Sequence, residues 1–336
     1  MDSLPKILVI GDPKGLVPEA TWADFSSKYE VHLYDFATLD DFHQSMSGEG
    51  SCHNIIAIVR LGLNIPPGIE KVGQGWTKRG LPYFPPSLRL VVNFGHGYDE
   101  EDVPALEARG ITFANTTGGT ESTATLGTFL IISSLRNLSR YERMVRAGQF
   151  LPALRDSAKN AVDPFSKKLG IFGMGAIGQA VARQTAALGM EIHCLDRKSL
   201  KEKNIGNSLP PLVLHPSLGD MVANVDCVIL TCSYTPETHH VFSHDVFSKM
   251  RPGTRVVNIA RGKCIDDDAL CDAIEKGNVG GVGLDVHDNE PYVNPRLLNY
   301  DCVTLLPHVG GLTHDSMSNH AVMALQAAQN YFSKLV

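Results

Sequence analysis

Short apolar runs, each about the length of a buried β-strand, recur along the whole chain. They are separated by amphipathic stretches or by segments rich in glycine and proline, as in proteins that alternate strands and helices. Ten runs have this character, at residues 6–11, 31–34, 54–59, 88–93, 110–115, 168–173, 190–195, 225–231, 255–259 and 279–285. The pattern predicts an α/β protein whose first 115 residues form a small sheet of their own.

Helical patterns lie between and after these runs. Residues 18–29 and 313–335 predict helices, and residues 266–277 combine an acidic start with a glycine stop. Residues 119–148 predict one long helix whose first half is apolar nearly all round, which is typical of a helix packed in a core, between domains or between subunits. Residues 62–87 are rich in glycine and proline and predict an irregular loop.

A glycine pattern in the middle of the chain gives the clearest chemical signal. Gly173, Gly175 and Gly178 follow a predicted strand and open a helix, and Asp196 ends the next predicted strand. Glycines at this spacing allow a tight turn, the approach of a pyrophosphate and close packing of the helix, while the acid can bind the ribose hydroxyls. The helix N-terminus favours the phosphates. The sequence therefore predicts a dinucleotide-binding protein.

Length and composition narrow the class of protein further. The 336 residues, 43% of them hydrophobic and 20% charged, favour about two ordinary globular domains. The net charge of −6, with both signs spread along the chain, gives no reason to expect nucleic acid or an anionic membrane as partner. No apolar stretch approaches the length of a membrane span.

The cysteines indicate a reducing compartment. They are seven in number, scattered, and never spaced as Cys-x-x-Cys, so neither a disulfide framework nor a zinc site is expected. The chain begins Met1-Asp2-Ser3 and lacks the basic and apolar parts of a secretory signal. We therefore expect a cytoplasmic protein without a bound metal.

Three side chains in the last third could supply acid–base chemistry. His308 lies in a loop between Pro307 and Gly310, and a histidine can exchange a proton with a carbonyl oxygen near neutral pH. Glu290 could bind the other ring nitrogen and hold the tautomer. Arg261 follows a predicted strand, and its planar guanidinium could bind a carboxylate. Spacing alone does not bring the three together, and each also has an ordinary structural interpretation.

Six segments closely resemble the signatures of the D-isomer-specific 2-hydroxyacid dehydrogenases. They are residues 93–99, 173–178, 235–240, 258–266, 283–291 and 307–311. The resemblance runs in the family's order from about residue 90 to the end. The first 90 residues match more loosely, although their opening strand and residues 21–28 look like fungal D-mandelate dehydrogenase-type members.

The resemblance implies a two-domain fold. Residues 1–118 and 307–336 would form a flavodoxin-like substrate domain, and residues 119–306 an inserted Rossmann domain that binds NAD or NADP. The implied reaction is reversible hydride transfer between the nicotinamide and a 2-oxo acid or D-2-hydroxy acid, for example glyoxylate, hydroxypyruvate or a larger acid. A homodimer formed through the 119–148 helix region is also expected.

The family roles fall on particular residues of this chain. Arg261 would bind the substrate carboxylate and carbonyl, Glu290 would be the partner of the histidine, and His308 would be the acid–base group. Residues implied at the cofactor are Gly173, Gly175, Ala176, Ile177, Gly178, Asp196, Arg197, Ser233, Thr238, Ile259, Ala260, Asp285 and Gly310. Residues implied at the substrate are Gly62, Gly95, His96 and Gly97.

Two features leave alternatives open. Asp196 favours NAD, because a carboxylate at the ribose repels a 2′-phosphate, but Arg197 and Lys198 follow at once, as in NADP-using relatives. His96 stands where the family usually has a small aliphatic residue, and it would be either a substrate contact or a solvent-facing histidine. A dinucleotide-sensing protein of the corepressor type is the alternative from a different functional class.

Overall fold

A computed structural model describes residues 4–62, 76–195 and 209–334. The chain forms two compact units, Met1–Gly119 with Gly311–Val336, and Thr120–Gly310. We refer to them as the first and the second unit. The first unit is therefore built from both ends of the chain.

The strands of the described residues belong to two parallel sheets. In chain order they are β1 (Lys6–Ile10), β2 (Glu30–Leu33), β3 (Ala57–Arg60), β4 (Leu90–Asn93), β5 (Thr112–Asn115), β6 (Lys168–Phe172), β7 (Glu191–Leu195), β8 (Leu212–His215), β9 (Cys227–Leu230), β10 (Thr254–Asn258), β11 (Val279–Leu284) and β12 (Val303–Leu305). Their parallel pairing confirms the predicted α/β fold class.

Helices connect the strands and cover the sheets. They are α1 (Glu19–Lys28), α2 (Leu39–Ser45), α3 (Trp76–Gly80), α4 (Val103–Ala108), α5 (Thr120–Arg136), α6 (Leu138–Arg146), α7 (Phe150–Asn160), α8 (Ala176–Ala187), α9 (Leu218–Asn224), α10 (His244–Ser248), α11 (Asp267–Glu275) and α12 (His314–Phe332). Short 3₁₀ turns lie at Leu81–Tyr83, Gly262–Cys264 and Leu297–Asn299.

The sheet of the first unit has the order β2-β1-β3-β4-β5. Its central strands are buried on both faces, which explains why they read as unbroken apolar runs in the sequence. One face packs against α1 and against a stripe of small and apolar residues on α12, including Ala321, Ala324 and Leu325. The last helix of the chain is thus part of the core that the first strands begin.

The sheet of the second unit has the order β12-β11-β10-β9-β6-β7-β8. The chain starts in the middle at β6, adds β7 and β8 on one side, and then adds β9 to β12 on the other. The strand order therefore reverses between β6 and β9, and ligands of such sheets bind at the carboxyl ends of the strands beside this point. Helix α5 packs across β10 and β11, where Gly127 and Gly283 allow close contact with Ile259 and Leu130.

The single helix predicted over residues 119–148 is wrong. The structure breaks it at Asn137, whose φ of 53° is left-handed, a conformation that asparagine tolerates better than most residues. Helix α5 ends before this residue and α6 begins after it. Part of the predicted loop 62–87 lies outside the described residues, and its described part contains α3 and a 3₁₀ turn.

Candidate active site

The residues predicted to carry the chemistry of the second unit lie where its strands end. The glycine turn follows β6, Arg261 follows β10, Asp285 follows β11 and His308 follows β12. Because all these strands are parallel, their carboxyl ends meet at one edge of the sheet. The fold therefore collects residues that are far apart in the sequence.

The glycine turn has the geometry that a pyrophosphate requires. Gly173 has a φ of +116°, and a Cβ there would lie 2.5 Å from the Cys232 amide nitrogen, so a larger residue is excluded. A Cβ on Gly178 would collide with the Gly173 carbonyl oxygen, whereas one on Gly175 would meet only open space. Helix α8 then begins at Ala176 and Ile177 with no side-chain cap on its first amides. These residues fit a dinucleotide phosphate.

Other residues predicted to bind the cofactor lie on the same edge. Thr238 closes the turn that follows β9: its hydroxyl donates to the Ser233 carbonyl at 3.0 Å and accepts from the Thr235 amide at 2.7 Å. Ile259 and Ala260 follow β10 and are buried, each 6% exposed. Asp196, Arg197 and Lys198, on which the choice between NAD and NADP depends, lie outside the described residues.

Glu290 and His308 form a hydrogen-bonded pair. The His308 Nδ1 lies 2.9 Å from Glu290 Oε2, and Glu290 Oε1 accepts from the His287 amide at 3.0 Å. Burial by itself would raise the pKa of Glu290, but the hydrogen bond and charge of His308 outweigh burial and hold this pKa below its usual value. The carboxylate therefore stays charged and fixes the orientation of the imidazole.

Asp285 anchors the loop that carries His308. Its buried carboxylate accepts from the amides of Val309 and Gly310, both at 2.8 Å, and its carbonyl oxygen accepts from the His308 amide at 2.7 Å. These bonds hold His308 at a left-handed φ of 57°. Burial raises the pKa of Asp285, and the two amides oppose that rise. Asp285 is predicted to contact the cofactor, and the structure gives it this additional role.

Arg261 is positioned through its backbone. The buried amide side chain of Asn258 donates to the Arg261 carbonyl at 2.9 Å and accepts from the Ala260 amide at 3.0 Å. The next residue, Gly262, lies so close to the backbone of His287 that a Cβ there would collide with it. The loop of Arg261 thus packs directly on the loop that leads to Glu290.

The predicted substrate residues lie at the carboxyl edge of the other sheet, in the first unit. Gly62 follows β3, and its carbonyl accepts from the buried Arg60 side chain at 3.0 Å. The Asn115 side chain donates to the His96 carbonyl at 2.9 Å, which fixes the loop that also contains Gly97. The Gly95 amide, which we had assigned to the substrate, donates instead to the Thr116 hydroxyl at 3.1 Å.

A buried histidine stands behind this loop. His320 of α12 is 2% exposed, and its Nδ1 lies 2.6 Å from the Thr116 hydroxyl that binds Gly95. Its ring also packs against Phe94, with centroids 4.5 Å apart, and stands edge-on to His96. Burial lowers the pKa of His320 to about 4, and the charge of His96 adds to this effect. A neutral imidazole therefore supports the predicted substrate loop.

Several of these supporting residues were not predicted from the sequence. Asn258 and Arg60 are polar residues that end buried apolar strands, and this local signal could have identified them. His287 lies within residues 283–291, one of the segments that resemble the family, and its Nε2 donates to the Leu306 carbonyl at 2.9 Å. His320 gives no local signal, because its partner Thr116 is 204 residues away.

Two negative findings concern the described residues alone. None of the helices that the structure describes combines the length and apolar character needed to cross a membrane. In the same parts of the chain, no group of three or more His, Cys, Asp or Glu side chains is arranged to hold a metal ion.

Comparison with known proteins identifies a family to which the chain is similar. The sequence profile of the D-isomer specific 2-hydroxyacid dehydrogenase NAD binding domain matches residues 128–310. The chain is 30% identical to 4-methyl-2-oxopentanoate reductase A of Aspergillus oryzae over 98% of its own length and 96% of that protein.

Solved structures show the same similarity. The holo form of Rhodotorula graminis D-mandelate dehydrogenase matches with a TM-score of 0.87 and 32% identity, over 98% of this chain and 94% of that one. An NADPH-dependent glyoxylate/hydroxypyruvate reductase of Sinorhizobium meliloti, in complex with NADP and malonate, matches with a TM-score of 0.74 and 27% identity. The match covers 98% of this chain and 94% of that one.

The low pKa of His320 predicts a pH-dependent stability. In the folded protein His320 gains a proton only near pH 4, whereas in the unfolded chain it does so near its ordinary value of 6.5. Between these values the unfolded state binds more protons, so the free energy of unfolding should fall as the pH drops from 6.5 to 4. This difference in pKa between the folded and unfolded states corresponds to a fall of roughly 3 kcal/mol in the free energy of unfolding.

Denaturant titrations of the wild type and of His320→Asn at a series of pH values check this. The variant should be less stable at pH 7 and should lose less stability on acidification. His314→Asn, an exposed histidine at the start of the same helix, is the control and should follow the wild type. Equal pH slopes for wild type and His320→Asn would contradict the prediction.

Proposed function

The chain belongs to the D-isomer specific 2-hydroxyacid dehydrogenase family, and we propose that it reduces a 2-oxo acid to the D-2-hydroxy acid with NADH as its preferred cofactor. The family makes it an NAD(P)-dependent oxidoreductase. The residues that perform the reaction, the choice of cofactor and the identity of the acid are our proposals.

The hydrogen bond between His308 and Glu290 is the observation that supports this function best. With Nδ1 bound to a charged carboxylate, the proton exchanged with substrate belongs to Nε2. A histidine held in this way can donate a proton to a carbonyl oxygen in one direction and accept it in the other. Glu290 stabilises the protonated ring that reduction requires, because it places a negative charge beside it.

The remaining groups would bind and orient the cofactor and the substrate. The N-terminus of α8, with Gly173, Gly175 and Gly178, would hold the pyrophosphate of NAD(H), whose nicotinamide supplies the hydride when bound. Arg261 would bind the substrate carboxylate and polarise the neighbouring keto oxygen. Gly62, His96 and Gly97 of the first unit remain predicted substrate residues. Gly95 contributes by holding the loop through Thr116.

The size of the acid is a separate proposal. The relatives named above reduce 4-methyl-2-oxopentanoate or glyoxylate and hydroxypyruvate, or oxidise D-mandelate, according to their names. Relatives of both kinds match at 30% identity or more over nearly the whole chain, and D-mandelate dehydrogenase has the higher TM-score, 0.87 against 0.82 for a glyoxylate reductase, so we propose an acid with a bulky apolar group. These relatives also favour the enzyme over a dinucleotide sensor.

We infer a homodimer from an exposed apolar surface in the second unit. Five large apolar side chains of α6 and α7 are 39% to 63% exposed: Leu138, Val145, Phe150, Leu151 and Leu154. Clustered apolar residues of this kind mark surfaces that bind another protein. A second copy is the partner we propose, in line with the dimer expected for residues 119–148.

A cytoplasmic location also remains our proposal. All seven cysteines are free thiols in the structure, and five of them are buried, at Cys52, Cys194, Cys227, Cys264 and Cys271. Free thiols persist where glutathione and thioredoxin keep a compartment reduced.

Replacement of His308 tests the proposed reaction. We expect His308→Ala to lose nearly all reduction of 2-oxo acids, by a factor of roughly 10² to 10⁴, because the proton donor is removed. Affinity for NADH should stay near normal, since the ring does not form the phosphate site. The assay is a spectrophotometric screen of glyoxylate, hydroxypyruvate, 4-methyl-2-oxopentanoate and phenylglyoxylate, with NADH binding followed by fluorescence.

Two further variants complete this test. His244→Ala, an exposed histidine of the same unit, should keep full activity. Glu290→Gln should retain part of the activity, because the neutral amide can still bond to the ring but no longer places a negative charge beside it. Undiminished turnover by His308→Ala, or failure of the wild type on every acid despite tight NADH binding, would refute the proposal.

The preference for NADH predicts a specific response at residue 196. The kcat/KM of the wild type should be higher with NADH than with NADPH, because the Asp196 carboxylate repels a 2′-phosphate. Asp196→Ser should shift the ratio toward NADPH, and Arg197→Ser should shift it the other way. A wild type that prefers NADPH would contradict this prediction. It would show that attraction of the 2′-phosphate by Arg197 and Lys198 outweighs its repulsion by Asp196.

The apolar surface on α6 and α7 predicts the oligomeric state. Light scattering after gel filtration should give the mass of two 36.5 kDa chains, and Leu154→Glu should shift it toward one. The control is Leu298→Glu, at a leucine that is 63% exposed elsewhere in the second unit, and it should remain dimeric. A monomeric wild type, or dissociation in both variants, would count against this surface.

A further inference from the structure

Two thiols of the second unit face each other beside the proposed site. The Sγ atoms of Cys232 and Cys264 are 3.9 Å apart, although the residues are 32 positions apart in the sequence. Both belong to the same sheet edge as the glycine turn. The mechanism proposed above uses neither of them.

Each thiol is linked to a different part of the site. The backbone of Cys232 lies against Gly173, since a Cβ on that glycine would be 2.5 Å from the Cys232 nitrogen. Cys264 ends the 3₁₀ turn that starts at Gly262, and its amide donates to the Arg261 carbonyl at 3.1 Å. A covalent bond between the two sulfurs would therefore connect the dinucleotide turn to the loop of Arg261.

The chemical environment favours reaction at this pair. The hydrogen bond with Cys232 lowers the pKa of the Cys264 thiol, burial opposes the shift, and the Arg261 backbone and charge add to it. Burial instead raises the pKa of Cys227 to about 12 and that of Cys271 to about 11. Cys232 is partly exposed, so an oxidant can reach one member of the pair, while the other is buried beside it.

We propose that Cys232 and Cys264 form a reversible disulfide when the protein meets a peroxide, and that this bond switches the enzyme off. The Cys232 thiolate attacks the peroxide, the O–O bond breaks, and a sulfenic acid forms with loss of hydroxide. The Cys264 thiolate then attacks the Cys232 sulfur, and a second hydroxide leaves. With the two thiol protons these become two waters: two thiols are oxidised and one hydrogen peroxide is reduced.

Closure of the bond requires movement at Arg261. A disulfide is about 2.05 Å long, so the sulfurs must approach each other by roughly 1.9 Å from their present 3.9 Å. The Cys232 backbone is confined by Gly173, and the Cys264 amide is bonded to Arg261. The displacement therefore passes to the loop that orients Arg261, where an error of about 1 Å in a positioning group can cost roughly 10² in rate.

The experiment treats the reduced, full-length protein with hydrogen peroxide, blocks the remaining thiols and maps the peptides without reduction. Trypsin leaves Cys264 and Cys271 on one peptide and Cys227 with Cys232 on another, so fragment spectra must assign the linked sulfurs. We expect a Cys232–Cys264 link that is two hydrogens lighter than the dithiol. Turnover should fall roughly 100-fold and return with dithiothreitol.

Variants separate this bond from general oxidation. Cys232→Ser and Cys264→Ser should keep their basal activity. Peroxide should no longer cause in them the loss of activity that dithiothreitol reverses. Cys302→Ser removes another partly exposed thiol of the same unit, whose pKa burial raises, and it should remain sensitive like the wild type. The peptide map does not depend on the proposed substrate, so it can be read even if the 2-oxo acid screen fails.

Three results would overturn the proposal. The first is the absence of the Cys232–Cys264 link after peroxide treatment. The second is a complete link with unchanged turnover, which would leave a disulfide without a switch. The third is an equal, reversible loss of activity in both serine variants, which would place the sensitive group elsewhere.

Discussion

The buried carboxylate of Asp285 is the constraint on which the candidate active site depends. It accepts two backbone amides from the segment after β12, while its own backbone continues β11 and bonds to the end of β10. Three neighbouring strand ends are thereby joined through one residue, and His308 is held in a left-handed conformation that few other contexts would support. Hydrogen bonds to a charged group are worth about 1.5–3 kcal/mol each, which is enough to fix a loop of this length.

Two carboxylates of this region, Asp285 and Glu290, differ in their surroundings and in the direction of their pKa shifts. Asp285 is buried, which raises its pKa, and its oxygens serve the backbone. Glu290 is partly exposed, and its pKa is lowered because it faces His308. In the proposed mechanism Asp285 maintains the structure of the loop and Glu290 sustains proton transfer. Asn258 and His287 complete the arrangement, since their side chains fix the loops of Arg261 and Glu290.

The sequence predicted much of this organisation, for physical reasons that also explain the failures. Buried parallel strands appear as apolar runs, and the glycine spacing at 173–178 reports local sterics, so both were recognisable. The break at Asn137 was not recognisable, because the sequence pattern around this asparagine is helical and does not reveal its backbone angle. Strand β8 was missed because it is an edge strand of four residues with little burial. The contact of Thr116 with His320 depends on tertiary structure and has no counterpart in local pattern.

The first unit is assembled from both ends of the chain, and this has a consequence for biosynthesis. When the ribosome has made residues 1–119, the face of β3 and β4 that α12 covers is still bare, because Ala321, Ala324 and Leu325 do not yet exist. The second unit, residues 120–310, is complete before that face closes, since domains generally fold as units while the chain emerges. The nascent protein therefore carries an open apolar surface through most of its translation, and chaperones that bind such surfaces have their longest opportunity there.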